Sequence, residues 1–367
     1  MTKYNIITRL YRLTINSIAY LLCLCLFFLT APAISCADDD VITILAVGDI
    51  YLGGSAAPYL KQNNYSYPFE PTKDILKDSD IAVANLEAPL THRRDAFMEK
   101  EFILKMDPDA AGAIKTAGFD VVTLANNHIM DYGQDGLQDT INFLDKADLK
   151  HTGAGKDLKD ARTPAIISIK NKKIAFLAYS KVFPEEFYAT KESGGTAQGV
   201  FEYVRYDIMK IKKQVDFVIV SFHWGEELMK YPKEYQIKLA HLAVDSGASV
   251  VIGHHPHILQ GIERYKNGLI FYSLGNFAFG SVSQSIPEGM IAILKFSNNR
   301  IGSAEIIPLN VNNKEVLFQP KPLQGEKAEN AIKNIQEVSD RFQLSLMTKE
   351  GKGFIRFDEE LKSAALP

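Results

Sequence analysis

The chain has 367 residues, of which 46% are hydrophobic and 23% charged, as in one large globular domain or two smaller ones. Its formal net charge of −3 gives no electrostatic basis for binding nucleic acid, so no nucleic-acid partner is expected. Cys23, Cys25 and Cys36 are the only cysteines, which excludes a disulfide framework or a cysteine-ligated metal in the rest of the chain.

At the N-terminus Lys3, Arg9 and Arg12 precede an apolar run over residues 18–29, followed by small residues. This is the layout of a secretory signal, and the run is short for a bilayer span. Residues 1–36 are therefore expected to be a signal peptide. Two cleavage readings stand. Ser35-Cys36-Ala37 has the small-x-small form of ordinary cleavage. Ala33-Ile34-Ser35-Cys36 resembles a lipobox that would make Cys36 the lipidated first residue, although Ala33 stands where such boxes usually carry Leu. Either reading places the protein across the inner membrane, in the periplasm or held to the cell envelope as a lipoprotein.

The chain beyond is punctuated by apolar, β-branched runs that read as buried strands. VITILAV (41–47) runs into Gly48-Asp49, and IAVA (81–84) into Asn85-Leu86-Glu87. VVTLA (121–125) runs into Asn126-Asn127-His128 and, three residues on, Asp131. FVIVSF (217–222) runs into His223-Trp224-Gly225-Glu226, and VVI (250–252) into Gly253-His254-His255-Pro256-His257. Five of the eight histidines fall in three of these strand ends. Strand ends on one edge of an open α/β sheet converge on a cleft. His255 and His257, two apart, point to one side of an extended backbone, and a turn does the same for His254 and His257. Carboxylates, amides and imidazoles without thiolate make a hard-to-borderline ligand set suited to Mn, Zn, Fe, Ni or Mg.

Between the strands, residues 136–147 and 234–245 carry apolar positions at helical spacing, with Asp135 as an expected cap and Gly247 as a stop. Residues 166–169 and 174–179 flank Lys170-Asn171-Lys172-Lys173 as an antiparallel hairpin, so the sheet is mixed. LIFYSL (269–274) leads into Gly275-Asn276-Phe277, a loop expected to line the same cleft. Residues 311–367 are more charged, hold one helix near 328–338, and read as a C-terminal extension. Alternating strands and helices indicate an α/β fold.

The segments AVGDIYLGG, ANLEAPLT, TLANNHIMDYG, SFHWGEE, VIGHHPHILQG and YSLGNFAFG occur in this order. On them the chain resembles the bacterial poly-γ-glutamate capsule-synthesis (CapA-type) family. That family is similar in turn to calcineurin-like metallophosphoesterases. The resemblance implies a metallophosphoesterase-like sandwich of two mixed β-sheets flanked by helices, over residues 41–310. It also implies roles. Asp49 and Glu87 match metal-binding and bridging carboxylates. Asn127, His223, His255 and His257 match metal ligands, and His128, oriented by Asp131, matches the acid or transition-state stabiliser. Tyr51 departs from the pattern, because phosphoesterases carry His there, and one metal position lacks that ligand.

The implied cofactor is a divalent ion (Mn, Zn, Fe or Mg). The implied partners are an anionic polymer or a phosphoester substrate, with a membrane polymer-synthase complex. Three kinds of function follow: a metal-dependent phosphoesterase, an amide hydrolase on a capsule or wall polymer, and a non-catalytic polymer-binding accessory. Arg93, Arg94, Lys100 and Lys105, after the second strand, are expected to supply cationic contacts to a polymer, and Asn276 to line the substrate cleft.

Overall fold

The computed structural model describes residues 41–282 and 287–357. The expected signal peptide and the lipidation of Cys36 lie outside the described residues. The first sheet is built around Ile42–Tyr51, which pairs in parallel with Ile81–Leu86. Val121–Thr123 and Lys150–Thr152 extend that side, also in parallel. On its other side Ile42–Tyr51 pairs antiparallel with Glu288–Ser297, followed by Arg300–Asn310 and Lys352–Arg356. The second sheet sets Lys172–Ser180, Phe217–His223, Val250–His254 and Gly268–Phe271 in parallel. Ala165–Ile169 and Ile262–Tyr265 close its two edges antiparallel, the former making the hairpin expected from the sequence.

The strands carry continuous apolar runs because both faces of each sheet are covered. Side chains alternate across a strand, so each run feeds two cores. Ile42, Ile44 and Ala46 meet Ile219, Ile252 and Phe271 between the sheets. Leu45 and Val47 point the other way, into a core with Ile114, Leu137 and Leu144 from the helices Ala110–Ala117 and Gly133–Lys146. On the far side Val218, Val220 and Val251 pack against Val204, Ile208 and Leu239 from Phe201–Ile211 and Glu234–Ser246. The result is a two-sheet sandwich between helical layers. Each fully buried aliphatic side chain contributes about 1.5–3 kcal/mol.

Two glycines let neighbouring backbone approach closely where the functional residues begin. Ile42–Tyr51 leaves Glu288–Ser297 after Ala46 and takes up Asn276–Phe279 from Asp49 onward. The switch occurs at Gly48, where a Cβ would lie 1.8 Å from the Gly275 carbonyl oxygen. Gly253 is equally constrained, its Cβ position falling 1.9 Å from the Tyr272 carbonyl oxygen.

The helix expected at 136–147 spans Gly133–Lys146, and Asp135 is not its cap. Tyr132 holds the cap position without a side-chain bond, and the Asp135 carboxylate takes the Arg93 guanidinium at 2.9 Å instead. Within residues 311–357, the helix Gly325–Ser339 covers the inter-sheet core through Ile332 and Ile335, and Lys352–Arg356 pairs with Arg300–Asn310.

Candidate functional site

Asp49, Glu87, Asn127, His223 and the turn 254–257 meet where the C-terminal ends of both sheets' parallel strands face one another. Asp49 lies near the C-terminal end of the buried first strand, Ile42–Tyr51, and Glu87 follows Ile81–Leu86 directly. His223 and His254 are the last residues of neighbouring parallel strands and are in register. Asp49, Glu87, His223, His254, His255 and His257 are all buried.

Distances show which groups meet. Asp49 faces His254, with Nδ1 3.0 Å from Oδ1, and His257, with Nδ1 3.4 Å from Oδ2. Glu87 Oε1 lies 3.5 Å from His223 Nε2 and 3.6 Å from His257 Nε2. His223 Nε2 is 2.8 Å from Asn127 Oδ1. The His255 ring stacks obliquely on His223, with centroids 4.8 Å apart. The backbone at His255 and His257 has φ of 91° and 59°, a left-handed turn rather than an extended strand. Non-glycine residues adopt this region at a cost, and such strain concentrates at functional sites. The turn reading of the histidine spacing is the one realised, with His254 and His257 sharing Asp49, whereas His255 and His257 are brought to 6.0 Å ring to ring by left-handed backbone and not by an extended strand.

Amides hold the carboxylates from behind. Asn85 Nδ2 donates to Asp49 Oδ1 at 2.8 Å. Asn126 Nδ2 donates to the Leu86 carbonyl at 2.8 Å, while its Oδ1 accepts from the backbone N–H of His128 and Ile129. Asn276, expected to line the cleft, is buried and accepts from His257 Nδ1 at 2.9 Å, so it fixes that ring.

The electrostatics are those of a pocket short of positive charge. Burial raises the Asp49 carboxyl, but the His254 and His257 imidazoles more than offset this and hold it well below the usual carboxylate range. Burial, then the Asp49 charge, pushes Glu87 well above it. Burial works against a protonated His257, yet the Glu87 and Asp49 carboxylates overcome it and raise that ring to about 10. His255 is pushed down to about 3 by burial and by His257, and His223 well below 6.5 by burial and by His255.

The residues fit a divalent ion. Buried polar atoms nearly always find a partner. Glu87 Oε1 and His255 Nδ1 are buried without a hydrogen bond, in a pocket where carboxylate and imidazole donors converge. Three sets each bring one ligand atom per residue within 4.8 Å of one another: Glu87, His223 and His255; Asp49, Glu87 and His257; and Glu227, His255 and His257.

Beside this pocket His128 Nδ1 contacts Asp131 Oδ2 at 2.8 Å. Lys100, from the loop after the second strand, reaches the same carboxylate at 2.6 Å and the Asn127 carbonyl at 2.5 Å. Burial lowers His128 from 6.5, although Asp131 acts to raise it. The other cations of that loop are placed differently. Arg93 is spent on Asp139 and Asp135, each at 2.9 Å. Lys105 donates to the Arg93 carbonyl at 2.7 Å and lies over the Tyr132 ring. Arg94 is exposed. Sequence reasoning gave Asn85, Asn126 and Glu227 no role, and took His254 only as far as a turn partner of His257. Their signal was present in the same motifs, but each sits beside a residue with a stronger claim.

Fold and site together define a two-sheet α/β sandwich with an acid–imidazole pocket at facing strand ends. The chain belongs to the family described as bacterial capsule synthesis protein PGA_cap, whose profile matches residues 43–281. It is 31% identical to the capsule biosynthesis protein CapA of Bacillus anthracis, over 89% of this chain and 78% of that one. It is 30% identical to the PGA biosynthesis protein CapA of Bacillus subtilis, over 90% of this chain and 87% of that one. Among solved structures, the calcineurin-like phosphoesterase YfkN from Bacillus subtilis aligns with a TM-score of 0.48 at 13% identity, covering 83% of this chain and 99% of that one.

Proposed function

We propose that this chain acts outside the cytoplasm in making, exporting or anchoring an anionic polymer of the poly-γ-glutamate type, through a cation-dependent hydrolytic site. The observation that carries this reading is Glu87: a buried carboxylate oxygen without a hydrogen bond, between His223 and His257 at 3.5 and 3.6 Å. A lone buried carboxylate costs several kcal/mol unless a charge meets it. Asp49, Glu87, Asn127, His223, His255 and His257 would hold the ion. When bound, a divalent ion supplies Lewis acidity toward a phosphoryl or carbonyl oxygen. The polymer role is supported by the names of the capsule and PGA biosynthesis relatives.

The chain's own residues handle the proton. With Nδ1–H given to Asp131 and its pKa lowered by burial, His128 rests neutral and offers Nε2 as an acceptor. It takes a proton first and returns it to the leaving group afterwards. Arg94 and Lys105 are the loop cations left for the polymer, since Arg93 is already matched by Asp135 and Asp139. Lipidation at Cys36 would hold this site beside a polymer synthase in the membrane.

The test is metal content of the purified chain, together with Mn²⁺-supported hydrolysis of an aryl phosphodiester and of poly-γ-glutamate oligomers. Bound metal with turnover abolished by His128→Ala supports the reading. A chain that binds no divalent ion overturns it, and metal without turnover on any substrate leaves polymer binding as the function.

A further inference from the structure

We propose that a cationic pocket on the outer face of the second sheet, between residues 157–164, Lys191 and the helix Phe201–Ile211, is a second site that holds a carboxylate-rich chain of the poly-γ-glutamate type. The inference rests on the polymer reading above and assigns binding to residues that this reading does not use.

The pocket has a volume of about 580 Å³. Leu177, from the strand Lys172–Ser180, lines it and is buried in the core that this sheet forms with Val204 and Ile208. The pocket therefore lies on the side of the second sheet that faces away from the first, and none of its lining residues belongs to the acid–imidazole pocket. Leu158, Pro164, Ile211 and the exposed Tyr206 ring add further apolar lining.

Charge sets this pocket apart. Lys159, Arg162, Lys191 and Lys210 line it against Asp157 and Asp207, which leaves two positive charges over in a chain whose net charge is −3. Both acids are already occupied. Asp207 takes Arg162 Nε and Nη2, each at 2.8 Å, and the Tyr179 hydroxyl at 3.0 Å. Asp157 Oδ1 accepts from the Asp160 backbone N–H at 2.8 Å. Lys159, Lys191 and Lys210 are exposed and have no carboxylate partner among the described residues. Lys170 and Lys172, at the edge of the same sheet, reach Asp80 and Asp216 at 2.8 and 3.2 Å.

Surface lysines by themselves are solvated charges, but here the segments that carry them are tied together. Leu158 N–H donates to the Thr190 carbonyl at 2.7 Å, which joins the helix of Lys159 to the turn of Lys191. Thr190 N–H closes that turn on the Ser193 carbonyl at 3.0 Å. The Arg162–Asp207 pair, with Arg162 Cζ 3.9 Å from the Tyr203 ring centroid, joins the same segment to Phe201–Ile211, which carries Lys210. Three free ammonium groups thus surround an apolar lining in a fixed frame, and such preorganisation reduces the ordering cost of binding. A γ-linked glutamate chain matches both features, because each residue presents one carboxylate and is spaced from the next by methylene groups. A polyphosphate would leave the apolar lining unused.

The experiment is binding of a short fluorescent poly-γ-glutamate oligomer to the intact chain, followed by anisotropy, with polyphosphate as competitor. The unmodified chain should bind the oligomer, less tightly as salt is raised. Lys159→Gln, Lys191→Gln and Lys210→Gln together should weaken binding about tenfold, as three exposed charge contacts of modest strength would. The thermal midpoint of that variant should stay at the unmodified value, because the three side chains are exposed. Lys61→Gln, Lys77→Gln and Lys333→Gln together change the charge equally at exposed positions elsewhere and should bind as the unmodified chain does. A pocket variant with unchanged affinity overturns the inference, as does a control variant that loses as much. If Arg94→Gln with Lys105→Gln carries the loss instead, the polymer reading stands and the second site does not. Polyphosphate that displaces the oligomer at equal concentration of charge overturns the carboxylate assignment. A chain that binds no oligomer overturns the polymer reading together with this site.

Discussion

His223 Nε2 and Asn127 Oδ1 lie 2.8 Å apart, and this contact joins the two sheets at the pocket: His223 ends a strand of the second sheet, and Asn127 follows a strand of the first. If both ligate the ion, either Asn127→Ala or His223→Ala should weaken Mn²⁺ binding at least tenfold. The double variant should lose less than the sum of the two, since groups that share a partner couple. Calorimetric titration of the four chains measures this. Strictly additive losses would mean the two residues act independently.

Lys100 and Asp131 set the charge around His128. Asp131 acts to raise the His128 pKa and Lys100 to lower it. If His128 must be neutral to accept a proton, turnover falls as pH drops through its pKa. Asp131→Asn should move that acidic limb to lower pH, and Lys100→Met should move it to higher pH. Both should cut the rate at neutral pH about tenfold to a hundredfold, within the range of a positioned acid–base group. Rate profiles against pH at saturating Mn²⁺ give the answer. Shifts in the same direction would remove His128 from the proton-accepting role.

Stability should depend on pH with opposite slopes on the two sides of neutrality when a chelator is present. His257 is raised from 6.5 to about 10, so the folded chain keeps a proton that the unfolded chain releases. Its contribution is full below 6.5 and is lost as pH rises toward 10. His255 is lowered from 6.5 to about 3, so the unfolded chain takes up a proton that the folded chain refuses. That contribution is present above 6.5 and is lost as pH falls toward 3. The thermal midpoint should therefore peak near pH 6.5. His257→Asn should flatten the alkaline side and His255→Asn the acidic side. A midpoint rising steadily above neutrality would contradict the assignment for His257.

Gly48 and Gly253 should tolerate no side chain. A Cβ would approach a carbonyl oxygen to 1.8 Å at Gly48 and 1.9 Å at Gly253, in both cases on the backbone of a packed strand or turn. Gly48→Ala and Gly253→Ala should each cost roughly 2–3 kcal/mol or more and displace Asp49 or His254 with the strand. Gly112 is the control: it lies exposed in Ala110–Ala117 with no atom within 4 Å of its Cβ position. Gly112→Ala should stabilise by about 0.5–1 kcal/mol. Denaturant unfolding of the three variants decides. An unchanged Gly253→Ala would show that the close approach to Tyr272 is not required.

The pocket's main residues were legible in the linear chain because a buried strand is a local signal. Runs such as FVIVSF are apolar at nearly every position because both faces are covered, so His223 stood out at the end of the run. The same contrast marked Asp49, Glu87 and the 254–257 turn. Their collection at one edge follows from parallel strand order.

Partner choice was not legible, because it depends on atoms brought together from distant parts of the chain. His254 meets Asp49, Gly253 packs flush on Tyr272, and left-handed backbone at His255 and His257 turns their rings toward the carboxylate pocket. Residue spacing carries neither fact. Lys100 and Arg93 sit seven positions apart in one loop with the same charge, yet Lys100 reaches Asp131 and Arg93 is taken by the helix acids. Glu226 and Glu227 are adjacent and chemically identical, and only Glu227 is held against the histidine turn. Composition and periodicity describe what each residue is. Which charge it meets is set by packing between sheets, where a shift of a few ångströms decides whether two groups interact.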